Sequence, residues 1–193
     1  MLADALKIHT KEAHLSVERL IIKKIQSVQT TQDYIDLLKI FYGYFSSLEE
    51  RIAPVLNTNK LTDYADRRKA TALLTDIRTV SENANVQQTA SDLPAIETHA
   101  QALGALYVIE GSTLGGQIIS KMLRDKLGER SPARYNFFEG YGEQTHEKWD
   151  RFKTSLNDPN HSENDIKLTL SAALETFEKF KEWIERYDSN KKL

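Results

Sequence analysis

The sequence of 193 residues contains no cysteine. That excludes disulfides, cysteine-ligated zinc, iron–sulfur clusters, thiolate metal ligands and any thiol nucleophile, and it fits a reducing compartment. Proline and glycine are sparse, at four and eight residues, too few to punctuate a succession of short strands and tight turns. No apolar run approaches the roughly 18 residues of a membrane span. The opening MLADALKIHTKEAH is charged and helix-periodic, without the apolar centre of a signal peptide. Neither sign of charge dominates: 26 Lys and Arg against 28 Asp and Glu leave a net charge of -2, which offers no general reason to bind nucleic acid. The expectation is a cytoplasmic protein with no membrane and no nucleic-acid partner. What is present, 40% hydrophobic and 28% charged residues, is the composition of one globular domain able to bury a core.

Apolar residues recur at i, i+3 and i+4, so the fold class expected is all-α, with six or so helices around one core. The first helix is expected over residues 3–25, burying Leu6, Ala13, Val17, Leu20 and Ile21. Thr30 or Thr31 caps a second, whose face of Tyr34, Leu37, Leu38, Phe41, Tyr44, Phe45 and Leu48 ends near Pro54. A third is expected over 62–80, followed by a loop, SENANVQQTASD. Pro94 opens a long helical segment, 95–127, with Gly128 as its C-cap. SPARYNFFEGYG is aromatic and irregular, and helices over 143–156 and 162–187 complete the chain. No internal repeat, linker or low-complexity tract is found.

Within the long segment, EGSTLGGQ at 110–117 places three glycines in a helix, where each costs roughly 1 kcal/mol relative to alanine. Gly111 and Gly115 are four apart and share a face, with Gly116 beside them. Close helix packing, a kink, or a flat ligand lying on bare backbone would each account for them, and packing is the commonest of the three. A flat metalloporphyrin would need a second wall with an axial ligand, and histidine is the available candidate. Of the five histidines His9, His14, His99, His146 and His161, His14 stands apart. Glu18 follows one turn later, where its carboxylate can accept the imidazole's other N–H. Lys7, almost two turns earlier, and Lys11 put cations on nearby rows of the helix. Taken alone, those lysines read more readily as a solvated face.

Tyr107 lies one turn before Gly111 and can reach the same pocket or serve the core. Tyr135, Phe137, Phe138 and Tyr141 can shield a flat ligand or plug the core. Glu143 and His146 form a single E-x-x-H at helical spacing, whereas a di-iron bundle needs two with further carboxylates.

ALKIHTKEAH and ALGALYVIEGSTLGGQII together resemble the haem oxygenases, the first their proximal helix and the second their glycine-rich distal helix. The likeness is to the bacterial branch often linked to phytochrome chromophore supply, and it covers most of the chain in helix order and length. It implies a single-domain helical bundle over 1–187 with a short polar tail at 188–193, holding haem between proximal and kinked distal helices. It implies His14 as axial ligand and sole metal-binding residue, and haem contacts from Lys7, Lys11, Glu18, Tyr107, Gly111, Gly115 and Gly116. EKWDRFKTSL resembles the later helix that meets the propionates, with Arg151 the best match and Lys148 and Lys153 weaker.

The activity implied is oxidative cleavage of haem to biliverdin, carbon monoxide and iron, with haem as both cofactor and substrate. O2 and electrons from an external reductase or ferredoxin are the co-reactants, and a phytochrome-type acceptor of biliverdin is a possible partner. Where animal members carry an aspartate after the first distal glycine, this chain has Ser112. The expected catalytic group is therefore Ser112, anchoring water, with Gly111 and Gly115. A haem-binding or haem-transfer protein on the same fold, and a helical interaction module whose glycines only pack, are the alternatives.

Overall fold

The computed structural model describes residues 1–86, 89–128 and 131–190. Eight α-helices follow in order among them: α1 Leu2–His9, α2 Lys11–Ser27, α3 Thr31–Ile52, α4 Thr71–Val80, α5 His99–Leu127, α6 Asn136–Glu139, α7 Thr145–Leu156 and α8 Glu163–Asn190. The described residues contain no strand.

Several boundaries differ from expectation, each for a local reason. The first helix is two, because the backbone bends at Thr10 (φ -96°, ψ 0°). The Thr10 hydroxyl donates to the Leu6 carbonyl at 2.8 Å, competing with the backbone for that acceptor. Residues 62–70 form only a short 3-10 turn, Tyr64–Asp66, before α4. Pro94 lies outside α5; Thr98 caps that helix instead, accepting from the Gln101 N–H. A short α6 lies inside the segment expected to be irregular. The expected loop over 81–92 includes Gln87 and Gln88, which lie outside the described residues, and α8 continues to Asn190, leaving only 191–193, also outside them, of the expected tail.

Other expectations hold. Thr30 caps α3 in a capping box with Asp33, and Gly128 ends α5 at φ 76°, a left-handed conformation that favours glycine. Helix α5 runs through the glycines uninterrupted; the break falls in the first helix, at Thr10.

The core is built on α3 and on α5 against α8. Tyr34, Tyr44, Phe45, Leu38, Leu48 and Ile52 of α3 are fully buried. The Tyr44 hydroxyl donates to the Thr176 carbonyl of α8 at 2.7 Å, and the Trp183 indole N–H to the Ile40 carbonyl at 2.8 Å. Helices α5 and α8 meet along small residues. A Cβ on Gly104 would stand 2.3 Å from the Thr169 carbonyl oxygen, so only glycine permits that approach. Phe137 and Phe138, each 2% exposed, pack against Phe41, with Phe45 also against Phe137. This aromatic cluster plugs the core rather than shielding an open site.

Candidate functional site

Helices α2 and α5 lie side by side and are tied near both ends. The Thr10 side chain at the head of α2 lies beside the Tyr107 hydroxyl of α5, and the Lys126 ammonium donates to the Gln26 carbonyl at 2.7 Å. Both chains advance in the same sense from the first tie to the second, so the two helices run parallel. His14 stands one turn beyond Thr10 and Gly111 one turn beyond Tyr107, about 6 Å along each axis.

Between the ties α5 shows an open stripe. Gly111, Leu114, Gly115 and Ile118 fall at i, i+3, i+4 and i+7 on one face, and Leu114 and Ile118 are 39% and 68% exposed despite being large and apolar. A Cβ built on Gly115 meets nothing within 4 Å, and on Gly111 it meets the Trp149 ring at 3.8 Å. Neither glycine is there for helix packing. Gly116 is: a Cβ there would stand 1.9 Å from the Phe138 carbonyl oxygen. One further residue turns the Cα of Gly116 about 100° around the helix, so its Cβ direction points into the protein.

His14 is exposed, its ring centre 5.5 Å from that of Phe177 on α8 in an edge-on contact. Glu18, Lys7 and Lys11 are exposed as well. The bend at Thr10 corrects the placement of Lys7, because counting two turns of one helix from His14 no longer applies across it. Lys11 and Glu18 share α2 with His14. Tyr107 is half-buried, its ring centre 5.6 Å from that of Trp149; burial raises its pKa, opposed by the nearby Thr10 side chain.

Arg151 is exposed and ion-paired with Glu147 at 2.5 Å, and Lys153 pairs with Asp150 at 2.8 Å. Lys148 is turned inward, 3.7 Å from Asp63 with its ammonium 5.7 Å from the Tyr141 ring centre. Its expected role against a ligand remains an expectation. Glu143 and His146 are exposed, and no cluster of three or more metal-binding side chains occurs among the described residues.

Ser112 is not a free hydroxyl. It donates to the Ile109 carbonyl at 2.6 Å and accepts from Arg68 Nη2 at 2.7 Å. With its one proton given to the helix, it can only accept from anything further.

Behind Ser112 lies a buried polar network absent from the sequence reading. Arg67 grips Asp63 through Nε and Nη2, both at 3.0 Å, and reaches Glu110 at 2.6 Å; the Arg67 side chain is 0% exposed and that of Glu110 2%. Burial lowers the Arg67 pKa, but Glu110 and Asp63 outweigh it and leave the guanidinium raised overall. The Tyr141 hydroxyl bonds Glu110 at 3.0 Å and accepts from the Arg68 N–H at 2.9 Å. Glu49 of α3 accepts from the Ala70 N–H at the start of α4, at 2.9 Å, and burial pushes its carboxyl up to about 7. One signal pointed to this network: Glu110 is a lone carboxylate ending the apolar run LGALYVI. The Arg67–Lys69 run reads as a solvated charge cluster and gives no such hint.

A family model described as "Heme oxygenase" matches residues 1–186. The chain belongs to the heme oxygenase family. A heme oxygenase of Xanthomonas campestris pv. campestris (strain 8004) is 30% identical over 123 residues, covering 58% of this chain and 72% of that one. In fold, the chain is similar to the NO- and CO-bound heme oxygenase of Neisseria meningitidis, with a TM-score of 0.77, 21% identity, and 98% and 92% of the two chains covered. It is also similar to heme oxygenase from Leptospira interrogans, with a TM-score of 0.73, 18% identity, and 96% and 98% covered. The chain is thus a haem-degrading oxidoreductase of all-α fold, with haem as cofactor and substrate. None of its described helices is long and apolar enough to cross a membrane.

Haem fits what the open stripe offers. Bare backbone at Gly111 and Gly115 admits a flat ring, Leu114 and Ile118 are apolar surface in need of cover, and His14 on the neighbouring helix carries a nitrogen donor.

Proposed function

We propose that haem would be held between His14 and the open face of α5, with the His14 imidazole holding its iron. The observation that carries this reading is the open space around Gly115, where a side chain would touch nothing within 4 Å, beside the exposed apolar side chains of Leu114 and Ile118. When bound, haem supplies a redox-active iron and the ring that is opened to biliverdin, with carbon monoxide and iron released, using O2 and electrons from an external reductase or ferredoxin.

The protein's own part is binding, orientation and electrostatics. A neutral imidazole lacks the electron push of a thiolate. Glu18, one turn on, is suited to fix the imidazole tautomer. Glycine at 111 and 115 keeps bulky and basic groups away from the ring's other face. Lys11, with Lys7 and Arg151, supplies cations for the propionates, which set the ring's rotation. Ser112 accepts a hydrogen bond from water on that side. A cytoplasmic setting, supported by the absence of cysteine, and delivery of biliverdin to a phytochrome-type acceptor complete the reading.

Hemin with a reductant in air tests it. Wild type is expected to lose its Soret band as biliverdin forms. His14→Ala should keep its fold, since an exposed helical site tolerates alanine, and lose turnover. Wild-type rates in His14→Ala would overturn the assignment.

A further inference from the structure

The open stripe of α5 stops at an aromatic layer. Trp149 of α7 lays Cη2 and Cζ3, the benzene end of its indole, 3.8 and 4.0 Å from where a Gly111 Cβ would stand. Its ring centre is 5.6 Å from that of Tyr107, one turn before Gly111, and 5.8 Å from that of Phe152. Phe152 is fully buried, and the guanidinium of Arg67, paired with Glu110, lies 5.3 Å from its ring centre. The indole is therefore held by two aromatic neighbours, one of them part of the buried layer. At the far end of the stripe Ile118 is 68% exposed, and nothing comparable stands there among the described residues.

Trp149 is nevertheless only half-buried. The protein's other tryptophan, Trp183, gives its indole N–H to the Ile40 carbonyl. Among the described residues the Trp149 indole N–H has no hydrogen-bond partner, and it is not buried. A large ring left partly bare, next to main chain that is also bare, is apolar surface shaped for a flat occupant.

A flat ring held by one imidazole and a strip of main chain can still turn in its own plane, and only contacts at its edge stop it. Lys7, Lys11 and Arg151 are exposed, and Arg151 already pairs with Glu147. Long, solvated cations of this kind hold weakly and follow the ring as it turns. An indole has two rotatable bonds, and one packed on Tyr107 and Phe152 cannot follow. An orientation that drives the ring into it meets the cost of overpacking.

We propose that Trp149 is a positioning residue for haem: the benzene end of its indole is a fixed stop at the Tyr107 end of the stripe, and it sets the ring's rotation about the axis through His14, and so which ring carbon is opened. This rests on the site reading above and deepens it. Trp149 acts by position alone, taking no proton and giving none.

NMR of the loaded protein tests the stop directly. Wild type is loaded with hemin, reduced and saturated with carbon monoxide, which makes the iron diamagnetic. Nuclear Overhauser cross-peaks should join the Trp149 indole protons, assigned against Trp183→Phe, to substituents on one edge of the ring. Their absence overturns the stop without any variant, and decides the matter should Trp149→Ala not fold. Trp149→Ala should still take up hemin one-to-one, with a changed pattern of haem methyl resonances. On turnover its share of the biliverdin isomers that are minor in wild type should rise about fivefold or more. Trp149→Phe, which keeps a ring in place, should return both readouts most of the way to wild type. A merely structural role would lower the melting temperature and leave methyl pattern and isomer ratio as they are, and that result overturns the proposal. If wild type fails to bind hemin one-to-one, or His14→Ala keeps the same Soret band, the site reading falls and the stop with it; an intact His14 complex lacking the cross-peaks removes the stop alone.

Discussion

Gly115 and Gly116 are neighbours in sequence and opposites in structure. A side chain on the first would meet nothing, whereas on the second it would run into the Phe138 backbone. The same division runs along α5. One face carries Leu114, Gly115 and Ile118 toward open space, with Gly111 beside the Trp149 ring, and the other carries Gly104, Glu110, Thr113 and Gly116 into packed or hydrogen-bonded contacts. A glycine cluster is therefore two devices: one fixes the helix in the protein and the other leaves its main chain bare. The closed face is what makes the open one rigid, because α6 and the 62–70 segment hold α5 from behind.

The largest effect should come from the closed face. Glu110→Ala strips the buried Arg67 of a partner, and equilibrium denaturation should show a loss of about 3–5 kcal/mol. Gly116→Ala should cost about 3 kcal/mol by overpacking, read as a melting temperature lower by roughly 10 °C. If either variant is as stable as wild type, the division of the helix into two faces is wrong.

A third test reaches the support behind that face. Glu49, held up to about 7 against an ordinary 4.5, binds its proton more tightly folded than unfolded. Its stabilising contribution is full below about pH 4.5 and is lost as pH rises through about 7. Thermal melts should show Glu49→Gln gaining on wild type between pH 5 and pH 8; a difference independent of pH would contradict the burial of this carboxyl. The smallest effect belongs to the open face. Gly115→Ala should stabilise the protein by up to about 1 kcal/mol, since alanine costs a helix less than glycine and nothing stands in its way.

The sequence made the helices legible where local signals were strong: the Thr30 capping position, the apolar face of α3, and the Gly128 stop. It misplaced boundaries where a side chain competed with the backbone, at Thr10, or where Pro94 stood in for the real cap, Thr98. In the site, His14 and the glycines could be singled out, because histidine with a carboxylate one turn on and glycine in a helix are both locally conspicuous. What spacing could not say was which glycine faces in, since that depends on the Phe138 backbone 22 residues away in sequence. Nor could it pair Arg67 with Glu110 or Arg68 with Ser112, which lie 43 and 44 residues apart.

The open face is tested most directly by hemin titration of Gly115→Leu, followed by visible absorption. Leucine there meets no protein atom in its first carbon, so the fold should stand, with circular dichroism and melting temperature close to wild type. The bare main chain is lost, and hemin affinity should fall at least about tenfold, against one-to-one saturation of wild type. A Gly115→Leu variant that binds hemin as tightly as wild type, with the same Soret band, would contradict the account.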